Sequence, residues 1–123
     1  MELEQLSDRV IGCAIDVHRG LGPGLLESVY AQCLAFELAR AGISFEAEKP
    51  IPVAYKDVRL DCGFRVDLMV ENSLIVEAKA VEKLLPIHRA QLLTYMKVTQ
   101  MRVGLLINFN CRTLREGLVR LVL

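Results

Sequence analysis

At 123 residues and 13.8 kDa, the chain is the size of one compact domain, and 53% hydrophobic residues exclude a disordered polymer. Fifteen basic side chains balance fifteen acidic ones, which excludes a grip on duplex DNA through bulk charge and leaves only a local patch for nucleic-acid contact. No apolar run reaches the roughly 18 to 20 residues that span a bilayer. The acidic start Met1-Glu2-Leu3-Glu4-Gln5 is unlike a secretory signal, and Cys13, Cys33, Cys62 and Cys111 show neither a CxxC pair nor zinc-ribbon spacing. These features predict a cytoplasmic protein with free thiols and no membrane contact.

From about Gln5 to His18, apolar side chains recur at Leu6, Val10, Ala14 and Val17, with Ile11 and Ile15 widening the stripe, so a helix with a broad buried face is expected. Arg19-Gly20-Leu21-Gly22-Pro23-Gly24 breaks it. A second helix is predicted from about Leu25 to Ala41, stopped by Gly42. Phe45 to Tyr55 then reads as an extended strand whose prolines suit an edge position, followed by a turn at Lys56-Asp57. Val58 to Val70 alternates in its second half, which puts Phe64, Val66, Leu68 and Val70 on one face. After a turn at Glu71-Asn72-Ser73, the stretch Leu74 to Val81 aligns Leu74, Val76, Ala78 and Ala80. Pro86 opens a helix to about Thr99, and the nearly all-apolar Val103 to Phe109 reads as a strand covered on both sides. Leu114 to Leu123 is a short turn and a last strand, or a helical turn. The order is α-α-β-β-β-α-β with a small final element.

The hairpin carries the chemistry. A three-residue loop at Glu71-Asn72-Ser73 pairs Val70 with Leu74 and sets Asp67 opposite Glu77, with Lys79 on the face of Glu77. Two carboxylates and an ammonium then converge on a face whose reverse is apolar. Such oxygen ligands suit Mg²⁺, which is often held by one or two carboxylates plus water and substrate phosphate. Half-exposed strands also turn charged residues outward as a matter of course, and Arg65 is available as a salt-bridge partner. A two-residue turn at Asn72-Ser73 would shift the register by one and dissolve the site.

Three more features bear on this choice. Gln91 and Tyr95 lie four apart on one helix face, with His88 a turn earlier; they are either boundary residues of a packed helix or groups aimed at the hairpin. Glu27 opens the second helix, where it either favours the helix dipole or acts as a ligand. Together, Gly24-Leu25-Leu26-Glu27-Ser28-Val29-Tyr30, Asp67, Glu77-Ala78-Lys79 and Gln91 through Tyr95 resemble the GxxExxY proteins, a compact branch of the PD-(D/E)xK nuclease superfamily. The resemblance runs from about Val10 to Arg120 and takes in Asn108-Phe109. Val66 stands where the superfamily's name expects proline.

The resemblance implies an α/β (α+β) fold: a restriction-endonuclease-like αβββαβ core with a mixed sheet flanked by helices and an extra N-terminal helix, residues 1–123 forming a single domain. It implies that Asp67 and Glu77, with the carbonyl of Ala78, ligate Mg²⁺ or Mn²⁺, and that Glu27 completes the site directly, through water or through a second metal. Lys79 would position the attacking water, and Gln91 and Tyr95 would orient that water or a phosphate. The implied substrate is nucleic acid, DNA ahead of RNA; at 123 residues the chain has little beyond the core, so a homo-oligomer or a protein partner is expected to supply specificity. The competing reading is a catalytically silent module of the same fold that binds nucleic acid or a protein.

Overall fold

The computed structural model describes residues 1–123. Helix α1 (Leu3–Leu21) and helix α2 (Glu27–Arg40) precede strands β1 (Phe45–Tyr55), β2 (Val58–Val70) and β3 (Leu74–Lys79). Helix α3 (Pro86–Thr99), strand β4 (Val103–Asn108), a 3₁₀ turn (Leu114–Gly117) and strand β5 (Leu118–Val122) complete the chain. The five strands form one sheet in sequence order; β3 and β4 run parallel and every other pair is antiparallel. A parallel pair needs a long crossover, and α3 supplies it. The fold is therefore α+β, with an αβββαβ core, one added helix at its start and one added strand at its end.

The two faces of the sheet are covered unequally. On one face, the apolar stripe of α1 and the Tyr30, Leu34 and Leu38 stripe of α2 meet Leu68, Val70, Leu74, Val76 and Ala78 in a core of 19 buried residues. On the other, α3 covers a cluster of only seven, including Leu92 and Met96 against Ile75 and Leu106. Burial against the sheet on this scale, at roughly 25 cal/mol per Å² of apolar surface, is what holds α1 and α2 in place.

Several sequence expectations are adjusted. Helix α1 runs past Gly20 because the break comes at Gly22, whose φ of 68° is open to glycine and strained for other residues. Helix α2 begins at Glu27, not Leu25. Strand β3 ends at Lys79, before Val81. The larger correction concerns β2. Leu68 and Val70 face the α1/α2 core, whereas Val66 and Phe64 pack with the α3 cluster, so the four do not share one face. The alternation changes phase at Asp67. There the β1–β2 pairing skips from Ala47–Leu68 to Lys49–Val66, and the intervening Glu48 has a φ of 50°. This local kink at Glu48 leaves the register unchanged; the register shifts only farther out, between Ile51 and Val53.

Candidate active site

The turn at Glu71-Asn72-Ser73 holds three residues, and the ladder beside it pairs Val70 with Leu74, Met69 with Ile75 and Leu68 with Val76. The next pair in this register is Asp67 and Glu77, and here side chains replace the backbone ladder. The Asp67 N–H donates to Glu77 Oε1 at 3.2 Å, and the Ala78 N–H donates to Asp67 Oδ2 at 2.8 Å. Beyond this point β3 continues only with β4, which it pairs through Lys79–Asn108. The acids thus sit in the fork where β2 leaves β3, with main-chain amides already turned toward them.

The two acids are shielded from water to different degrees. Glu77 is 5% exposed and Asp67 is half-buried. Burial, then the neighbouring charge of Asp67, pushes Glu77 up to about 8. Burial raises Asp67 as well, against the opposing pull of the Ala78 N–H, Glu77 and Lys79. Burial thus biases each acid toward its neutral form.

Lys79 is half-buried and lowers the pKa of both acids, yet it forms no ion pair with either. Arg65 pairs with neither acid; its guanidinium reaches the Glu48 carbonyl at 3.5 Å. The charged face is therefore not closed by salt bridges, and its ammonium remains available.

The surrounding elements contribute unequally. Glu27 is exposed at the first position of α2 and lines a cleft with Asp67, whose pKa its charge raises. No three His, Cys, Asp or Glu side chains are gathered into a metal-holding group, so Glu27 stands apart from the dyad. Tyr95 lies near the acids: burial, then the charges of Glu77 and Asp67, raises its phenol, and its ring stacks on Phe64 at 4.0 Å. Gln91 is exposed one turn earlier on α3, and its side chain makes no hydrogen bond. Ala78 contributes its main chain, while its methyl group is buried in the larger core.

Two residues, Tyr30 and Asn108, support the site through hydrogen bonds to the main chain. The Tyr30 hydroxyl donates to the Gly22 carbonyl at 2.6 Å and accepts from the Leu25 N–H at 3.1 Å, while its ring stacks on Phe109 at 4.6 Å. That clamps the loop from which Glu27 emerges. Asn108, 4% exposed, accepts from the Val81 N–H at 3.1 Å and donates to the Val81 carbonyl at 2.9 Å, which fixes the chain just after Lys79. Gln32 and Glu48 line the cleft beside Asp67, and sequence reasoning missed both. Ordinary polar residues at a strand kink and on a helix surface send no signal until the register is known.

The family model of the PD-(D/E)XK nuclease superfamily matches residues 4–121. The chain belongs to the PD-(D/E)XK nuclease superfamily. No curated protein and no solved structure matches it. Members of this superfamily generally use divalent metals. The donor set here fits such an ion: two hard oxygen ligands, each disfavoured as an anion by burial, gain most from a cation between them, and Mg²⁺ needs no more than one or two carboxylates from a protein. No helix of this PD-(D/E)XK protein is long and apolar enough to cross a membrane.

Proposed function

We propose that this chain is a Mg²⁺- or Mn²⁺-dependent nuclease that hydrolyses phosphodiester bonds, in DNA ahead of RNA. The Asp67–Glu77 dyad in the fork between β2 and β3, with an unpaired Lys79 beside it, is the observation that carries this reading. Asp67, Glu77 and the Ala78 carbonyl would hold the cation, which supplies Lewis acidity and charge neutralisation at the phosphoryl oxygens. Lys79 donates to the attacking water and offsets negative charge as it builds on phosphorus. Glu27 receives a water at the rim of the site, and Tyr95 and Gln91 orient water or phosphate from α3. Water oxygen bonds to phosphorus in line with the departing ester oxygen as the P–O bond opposite breaks; the water's proton passes to bulk solvent, and the departing alkoxide takes a proton from solvent water.

Within the superfamily we assign the chain to the GxxExxY branch. The assignment draws on Gly24, Glu27 and Tyr30, and the buried Tyr30 clamp gives that spacing a physical purpose. The reading takes residues 1–123 as one nuclease domain working in the cytoplasm, with a second copy or a protein partner supplying specificity.

The test is cleavage of labelled single- and double-stranded DNA and single-stranded RNA in Mg²⁺ or Mn²⁺. Asp67→Ala is expected to cut the rate by about 10³-fold or more, and Lys79→Met by a comparable factor. Wild type and Asp67→Ala equally inert on every substrate would replace catalysis with the silent binding module.

A further inference from the structure

We propose that the cleft between α2 and the kinked part of the β1–β2 hairpin seats the base and sugar of an unpaired nucleotide adjoining the scissile phosphate, making a single strand the preferred substrate. This rests on the nuclease reading above. Asp67 is the link: it belongs to the dyad and also walls the cleft, so a nucleotide whose phosphate lies at the dyad carries its base toward that space.

Size and lining support this occupant. The cleft holds about 350 Å³, within the range of about 300 to 1,000 Å³ in which small organic groups are bound. Its apolar lining comes from Ala31 and Ala35, one turn apart on α2, with Ala47 of β1 and Leu68 of β2. Short side chains on both walls leave room for a flat ring. Gln32 adds an amide with both donor and acceptor, and Glu48, in the left-handed backbone region, adds a carboxylate.

Charge decides which part of the nucleotide enters. Glu27, Glu48 and Asp67 line the cleft, and no lysine or arginine does. A phosphate is therefore repelled, whereas an uncharged base bearing N–H donors is accepted. Glutamine pairs with the N6/N7 edge of adenine, and a carboxylate accepts from the amino group of cytosine or adenine, so those bases are favoured over thymine. In a duplex the base is stacked and paired, and extrusion costs a few kcal/mol. A single strand avoids that cost.

The experiment measures binding of a short deoxyoligonucleotide in Ca²⁺ by fluorescence anisotropy, with one abasic residue walked along the strand. Wild type is expected to bind the intact strand about 10-fold more tightly than the strand abasic at one particular position, and a closed hairpin duplex more weakly than either. Ala35→Leu, which fills the cleft, is expected to bring the intact-to-abasic ratio close to 1. Gln32→Ala, at an exposed position where folding is not at issue, is expected to abolish the preference for adenine or cytosine over thymine there. Equal binding of intact and abasic strands by wild type overturns the proposal, as does a preference that survives both variants. Parallel cleavage in Mg²⁺ separates the two readings: base-dependent binding without cleavage removes the chemistry and keeps the cleft, and cleavage indifferent to abasic position removes the cleft and keeps the nuclease.

Discussion

Two halves of one sheet are built to different specifications. In β3 and β4 all positions but Lys79 are buried, whereas Val58 to Gly63 at the start of β2 are all exposed. The first half is close-packed between helices; the second is a ribbon held chiefly by its own ladder. Asp67 stands at the junction, where β2 passes from one regime to the other. A functional carboxylate needs firm support on one side and access on the other, and the end of a buried strand segment offers both.

The contrast breaks most sharply by truncation. Leu105→Ala, in the middle of β4 and inside the larger core, should cost about 2–5 kcal/mol in urea denaturation. Leu60→Ala, on the ribbon and 54% exposed, should stay within about 0.5 kcal/mol. Similar losses at the two sites would show that the ribbon is as well supported as the centre.

A second measurement sharpens the junction itself. Glu77 has an ordinary pKa of 4.5 unfolded and about 8 folded, so the folded state binds its proton more tightly. Its contribution to stability is therefore greatest below about pH 4.5 and is lost as pH rises toward 8, with a slope of up to about 1.4 kcal/mol per pH unit. Glu77→Gln keeps the acceptor for the Asp67 N–H and should flatten that part of the melting-temperature profile. Mg²⁺ should do the same for the wild type, stabilising it more at pH 8 than at pH 5. A profile identical in wild type and Glu77→Gln would refute the buried dyad.

The smallest effect is expected at Tyr30. Tyr30→Phe keeps the stack on Phe109 but removes the hydroxyl between Gly22 and Leu25, costing about 1 kcal/mol and speeding hydrogen exchange at the Leu25 amide. Unchanged exchange there would mean that the loop before Glu27 is held by something else.

Local chemistry made much of this legible in advance. Glu71-Asn72-Ser73 marked the hairpin turn, but its length stayed open, and the Val70–Leu74 pairing of the structure selects the three-residue turn that puts Asp67 opposite Glu77. The apolar run Val103 to Phe109 matched a strand covered on both faces, and Pro86 marked the start of α3. The phase change in β2 was hidden because Phe64, Val66, Leu68 and Val70 are all apolar, and either face accepts them. It coincides with the left-handed backbone of Glu48 across the ladder, and pairing irregularities are not encoded in the opposite strand. Gln32 and Glu48 were obscure for the same reason: the cleft exists only once α2 is laid against the kink.

Under the proposed nuclease reading, Asn108 has a consequence for how fast the amine of Lys79 would act. Its side-chain amide meets Val81 as a neighbouring strand would, donor to acceptor and acceptor to donor, and so extends the sheet by one rung where the main-chain ladder has run out. The direction in which the chain leaves β3 is thereby decided during folding. On that reading, ordering that would otherwise accompany the encounter with substrate would already be complete when the substrate arrives.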